Sequence, residues 1–207
     1  MGEAVRVAYE AKADEYAERF GTMAAVHQSD RNLVAGWAQG ISGHIIDAGC
    51  GPGHWTGFLK DLGCDIEGVD LVARFVDTAR ARFPQAMFRT ASLDNLGSGD
   101  GQLAGILAWY SVIHHPPGAL QRALAEFARC LCPGGTAVLG FFDGPAGEAF
   151  PHAVAPAHTW SVAAMRRNLA AAGLEVTEAH VRSEPGGRPH AAVVARKPGV
   201  REGAEAV

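Results

Sequence analysis

The chain has 207 residues, 48% of them apolar, with a formal net charge of −4 and a pI near 6.1. That suits one domain with a substantial core. The acidic balance, with no basic stripe, argues against a nucleic-acid substrate, because phosphate contacts normally dominate such binding. No apolar run approaches the roughly 20 residues that cross a bilayer, and the N-terminus lacks the basic-then-apolar order of a signal peptide, so a cytoplasmic protein is expected. Cys50, Cys64, Cys130 and Cys132 form no C-x-x-C pair, and the nine histidines no H-E-x-x-H set, so no metal is expected.

Along the chain, Tyr9, Ala13, Tyr16 and Phe20 recur at helical spacing over residues 3–20, and Gly21 ends that pattern. A shorter helix is expected over 28–39, with Leu33 and Trp37 on one face. A buried strand at 44–48 then runs into Asp47-x-Gly49-x-Gly51-x-Gly53, and a helical pattern follows at 54–62. A glycine turn between strand and helix exposes bare backbone and free N–H groups to a ligand. The next strand, 65–70, ends in Asp70, placed to accept hydrogen bonds from the ribose hydroxyls of an adenosine. Helix 72–82 and strand 86–89 follow. Asp70 can equally cap that helix, and the glycine turn alone fits any α/β protein.

The acid before three alternating glycines, with Asp70 behind it, resembles the first motifs of the class I S-adenosylmethionine-dependent methyltransferases. A dinucleotide site wants G-x-G-x-x-G, and here the third glycine falls one residue early. The resemblance extends to strand 104–109, which runs into Tyr110-Ser111-Val112-Ile113-His114-His115-Pro116-Pro117, and to Pro133-Gly134-Gly135 after a helix striped with Leu120, Leu124, Phe127 and Leu131. It implies that S-adenosylmethionine is the cofactor. Asp47, Gly49, Gly51 and Gly53 would then surround its methionine end, Asp70 and Leu71 its ribose, and Ser92 and Leu93 its adenine, with Ala108 and Trp109 nearby. Ser92 stands where the family usually has Asp, so the Leu93 amide is the surviving adenine contact, with Asp94 a substitute. The family's usual acid near the start of the fourth strand is Ala104 here. His115-Pro116-Pro117-Gly118 lacks the pattern of base-amino methylases. Tyr9 and Tyr16 either approach the sulfonium, a cation that favours aromatic faces, or simply fill the core.

Thr136–Phe142 is a further strand. Residues 143–160 carry Glu148, Phe150, His152, His158 and Trp160 and are expected to cover a substrate. Ser161 caps a helix with Val162, Met165, Leu169 and Ala172 on its face, closed by Gly173. Strands at 175–182 and 190–196 close the chain, and the tail from 198 is expected to fray. The expected architecture is therefore α/β: a doubly wound, mostly parallel seven-stranded sheet with one antiparallel strand. Residues 1–197 form one domain, with 1–40 as a helical cap. The expected function is methyl transfer to a small molecule through O, N, S or C, by a monomer or a homodimer. His114 is the expected base or acceptor-orienting group, because it follows a strand's carboxyl end and titrates near neutrality. Tyr110 and His152 are the alternatives, and His115 should point the other way. The rival functions are an S-adenosylmethionine-binding sensor or partner subunit without transfer, and an NAD-dependent oxidoreductase.

Overall fold

The computed structural model describes residues 2–199, so most of the expected frayed tail lies outside the described residues. Helices α1 (Glu3–Ala11), α2 (Ala13–Phe20) and α3 (Gln28–Gln39) lead into β1 (Ile45–Ala48). Then come α4 (His54–Asp61), β2 (Ile66–Asp70), α5 (Ala73–Arg82), β3 (Met87–Thr90), β4 (Leu103–Trp109), α6 (Pro117–Cys130) and β5 (Leu131–Phe142). A small ladder of β6 (Ala149–Phe150) and β7 (Ala157–His158) precedes α7 (Val162–Ala171), β8 (Glu175–Arg182) and β9 (His190–Arg196). The main sheet has seven strands in the order β3-β2-β1-β4-β5-β9-β8. β9 runs antiparallel to both of its neighbours and the other pairings are parallel, as the pattern of elements predicts.

Alternation along β1 divides the core. Ile46 and Ala48 face α6 and α7, where Leu120, Leu124, Phe127, Met165 and Leu169 are buried. Ile45 faces α3 and α4, with Val34, Ala38, Trp55 and Leu59. Each fully buried Val, Leu, Ile, Phe or Met side chain among them contributes about 1.5–3 kcal/mol. With helices on both faces, the strands read as continuous apolar runs. The switch in strand order falls between β1 and β4, and the carboxyl ends there open onto the site.

Two expectations are corrected. The helix over 3–20 is broken at Lys12, whose backbone (φ −117, ψ 16) leaves the helical region, so two short helices fold onto α5. There Tyr9 and Ala13 pack with Val72 and Phe75. Pro133-Gly134-Gly135 does not stop α6: the helix ends at Cys130, and Leu131 already pairs with Leu103. The register shift before Gly105↔Thr136 accommodates the Pro-Gly-Gly segment, with Gly134 at φ +83. Residues 143–160 carry the β6–β7 ladder. The Ser161 cap forms as expected, its hydroxyl accepting from the Ala164 amide at 3.2 Å.

Candidate active site

The three loop glycines all have positive φ, at 81, 52 and 85 for Gly49, Gly51 and Gly53, but they are glycine for different reasons. A Cβ on Gly49 would lie 2.3 Å from the Ser111 Cβ, and one on Gly53 would lie 2.7 Å from the Ala79 Cβ. A Cβ on Gly51 would meet nothing within 4 Å. Protein packing excludes side chains at the first and third positions, whereas the second faces open space.

Asp70 fastens the loop. Its carboxylate accepts the Gly51 amide at 2.9 Å and the Val72 amide at 2.8 Å, so it joins the glycine turn to the entry of α5. Burial pushes its pKa up to about 6, against the pull of those amides. Asp47, also buried, accepts the Thr56 hydroxyl at 2.7 Å, and burial raises it to about 7. Two carboxyl groups are thus held beneath one loop at a desolvation cost.

Two cavities meet over this loop. One, of about 540 Å³, reaches from Asp47, Gly49 and Gly51 past Trp109 and Tyr110 to His152 and His190. The other, of about 60 Å³, is lined by Asp70, Leu71, Leu93, Ser111 and His114. Tyr9, Tyr16, Gly49, Gly51, Trp109 and Tyr110 border both. Ser111 Oγ is buried in the smaller one without a partner. An open backbone cradle, a carboxylate at the end of β2 and an unmatched hydroxyl suit a nucleoside-bearing cofactor.

Most of the residues expected from the sequence converge here, but not all. Ala108 is fully buried in the core and borders neither cavity. Ser92 turns its hydroxyl to the Asp94 amide at 3.1 Å, which stabilises its own loop. Asp94 in turn lies 3.2 Å from His115 Nε2. His115 is fully buried beside Asp94, whereas His114 meets Tyr9. Among the described residues no three metal-ligating side chains gather.

The candidate catalytic side chains form one aromatic series. The His114 and His152 ring centroids are 5.6 Å apart, those of His152 and Phe142 5.7 Å, and those of Phe142 and Tyr110 5.1 Å. His114 is more constrained than its spacing suggested. Its Nδ1 lies 2.9 Å from the Pro156 carbonyl, which only accepts, so Nδ1 carries the proton and Nε2 accepts from the Tyr9 hydroxyl at 2.8 Å. Burial depresses the His114 pKa to about 4, so the ring is neutral at pH 7 and has no spare lone pair. It ties α1 to the segment after β6. His152 is depressed by burial too, and its Nδ1 has no hydrogen-bond partner. Tyr110 is the one non-glycine residue with positive φ (55) among those described. Strain of that kind costs on the order of 1–3 kcal/mol and concentrates at functional sites.

Sequence reasoning missed His190. It lies opposite Phe142 in the β5–β9 register, and its Nδ1 is 2.5 Å from the Tyr110 hydroxyl. It stands 80 positions from Tyr110, and only strand pairing brings the two together. Trp55 was missed as well. Its ring meets Trp109 edge to face at 5.6 Å, and Trp109 has room because a Cβ on Gly140 would strike its indole at 2.9 Å.

Residues 45–135 match the family model of the methyltransferase domain. Malonyl-[acyl-carrier protein] O-methyltransferase of Enterobacter lignolyticus is 32% identical over 97 residues, which is 47% of this chain and 37% of that protein. The match therefore spans well under half the length of the curated relatives. The crystal structure of 1,6-didemethyltoxoflavin-N1-methyltransferase from Burkholderia thailandensis, with 1,6-didemethyltoxoflavin and S-adenosylhomocysteine bound, superposes with a TM-score of 0.73 at 19% identity, covering 96% of this chain and 92% of that one. A TehB-like methyltransferase from Corynebacterium glutamicum gives a TM-score of 0.71 at 25% identity, covering 90% and 98%. Residues 45–135 thus match a methyltransferase domain, and the chain as a whole shares the fold of methyltransferases crystallised with S-adenosylhomocysteine.

Proposed function

We propose that this protein moves a methyl group from S-adenosylmethionine to a small molecule held in the cavity of about 540 Å³. The observation that carries this reading is the position of Gly51. Its open face borders both cavities, so a cofactor lying on it has Asp70 on one side and the acceptor space on the other. The names of the relatives support a small acceptor, one being a malonyl-[acyl-carrier protein] O-methyltransferase and another crystallised with 1,6-didemethyltoxoflavin. The net charge of −4 favours neither RNA nor DNA as the substrate.

Asp70 would take the ribose hydroxyls, Leu71 and Leu93 would border the nucleoside, and Tyr9 and Tyr16 would cover it. Tyr9 of α1 and Tyr16 of α2 form the cover of the smaller cavity, and the backbone break at Lys12 lies between them. The cofactor supplies an already activated methyl group. The remaining work for the protein is alignment, worth on the order of 7–11 kcal/mol in the best intramolecular cases. Trp109, Tyr110 and Phe142 form walls that orient an acceptor, and residues 143–160 with His152 close the space over it. His114 acts by holding Tyr9 and Pro156 together.

The test is incubation with methyl-labelled S-adenosylmethionine and a panel of small acceptors, read by mass spectrometry. A labelled product together with S-adenosylhomocysteine is the expected result. Cofactor binding with no labelled product from any acceptor would favour a sensor or partner subunit.

A further inference from the structure

The acceptor cavity has a distinct chemical character at its far end. Its one arginine, Arg182, is already matched by two carboxylates: it pairs with Asp30 at 3.1 Å and makes a close contact with Glu184. His27 Nε2 lies 3.8 Å from Glu184. An anionic acceptor entering there meets the carboxylates of Asp30 and Glu184 and an arginine already paired with both, of which only Nε is left without a partner. The flanking walls are aromatic, with Tyr110 in contact with both Trp109 and Phe142.

The polar feature on that wall is the Tyr110–His190 pair, with 2.5 Å between Oη and Nδ1. Burial first, then Arg182 and His27, lower the His190 pKa against the pull of Asp30 and Glu184, so the ring is neutral near pH 7. A neutral ring accepting the tyrosine proton at Nδ1 leaves the lone pairs of Tyr110 Oη free to accept a second hydrogen bond. The positive φ of Tyr110 turns its ring from the end of β4 onto this wall, between the cofactor loop and the acceptor space.

We propose that the cavity takes an uncharged aromatic or heteroaromatic acceptor, and that Tyr110, held by His190, accepts a hydrogen bond from its reacting O–H or N–H. The proposal rests on the methyl-transfer reading. Tyr110 is the residue that touches the acceptor, and His190 positions it. The hydrogen bond polarises the nucleophile and fixes which of its atoms faces the cofactor.

Three naphthalenes of one shape separate the elements of the proposal: 2-naphthol, its methyl ether 2-methoxynaphthalene, and 2-naphthoate. Each is titrated into protein saturated with S-adenosylhomocysteine and followed by ligand-observed NMR. Naphthol should bind about tenfold tighter than the ether, the scale of one hydrogen bond that would otherwise go unmade, and tighter than naphthoate. In Tyr110→Phe the gap between naphthol and ether should close while the ether's affinity holds. His190→Ala should narrow the gap by freeing the tyrosine ring. Naphthoate binding as tightly as naphthol overturns the proposal. So does a gap that survives in Tyr110→Phe, and so does failure of all three to bind. S-adenosylhomocysteine affinity is recorded on the same samples. Its absence would count against the methyl-transfer reading, and titration of the unloaded protein would still test the cavity.

Discussion

Asp70→Asn probes the cofactor side most sharply. The wild-type carboxylate accepts two backbone amides, from Gly51 and Val72, and still faces the smaller cavity. An asparagine there offers one carbonyl oxygen and turns an NH₂ toward whatever remains. Hydrogen bonds to a charged partner contribute about 1.5–3 kcal/mol, so losing the ribose contact should weaken S-adenosylhomocysteine binding by roughly 10- to 150-fold. The pH dependence gives a second signature. Burial raises the Asp70 pKa to about 6, and bound hydroxyls favour the ionised form. Wild-type affinity should therefore hold above pH 6 and fall by up to about tenfold per pH unit below it, whereas the variant should lack that limb. Calorimetry at several pH values, with melting curves as a control for folding, provides both readings. The reasoning is refuted if the variant binds within twofold of wild type, or if the acidic limb is the same in both.

Asp47→Asn tests the other buried carboxyl. Its pKa in the folded protein, about 7, lies above the ordinary 3.8, so the folded state holds the proton more tightly and wild type loses stability as pH rises between those values. The variant should gain on wild type by as much as about 4 kcal/mol across that window and hold the gain above it; equal differences at about pH 4.5 and about pH 7.5 would contradict this. Tyr9→Phe leaves His114 Nε2 buried without its partner, which should cost about 1–3 kcal/mol and lower the melting temperature by roughly 2–12 °C. Gly53→Ala should harm the fold itself, because its Cβ has no room beside Ala79 and Phe88, and the variant should melt lower even with cofactor present.

Local patterns carried most of the fold. Apolar runs closed by glycine located β1 and β2, and helical spacing located α3 and α6, because period and turn chemistry are written in neighbouring residues. The break at Lys12 was hidden because Tyr9, Ala13, Tyr16 and Phe20 keep one periodic face across it, and packing onto α5 decides the bend. Pro133-Gly134-Gly135 reads as a helix stop, yet pairing of Leu131 with Leu103 starts the strand earlier. In the site, Gly51 and Asp70 could be read because a strand–turn–helix unit carries them. The engagement of His114 and the partnership of Tyr110 with His190 could not, since each joins segments far apart in the chain.

The most direct test of the central claim is a calorimetric titration of the wild-type protein and of Gly51→Val with S-adenosylhomocysteine and, separately, with NAD. Valine at position 51 meets no protein atom at its Cβ, and its positive φ costs about 1–2 kcal/mol, so the fold should persist while the cradle fills. The account predicts saturable S-adenosylhomocysteine binding to wild type, none to a folded Gly51→Val, and no NAD binding to either. Binding of NAD in place of S-adenosylhomocysteine, or undiminished S-adenosylhomocysteine binding by Gly51→Val, would contradict it.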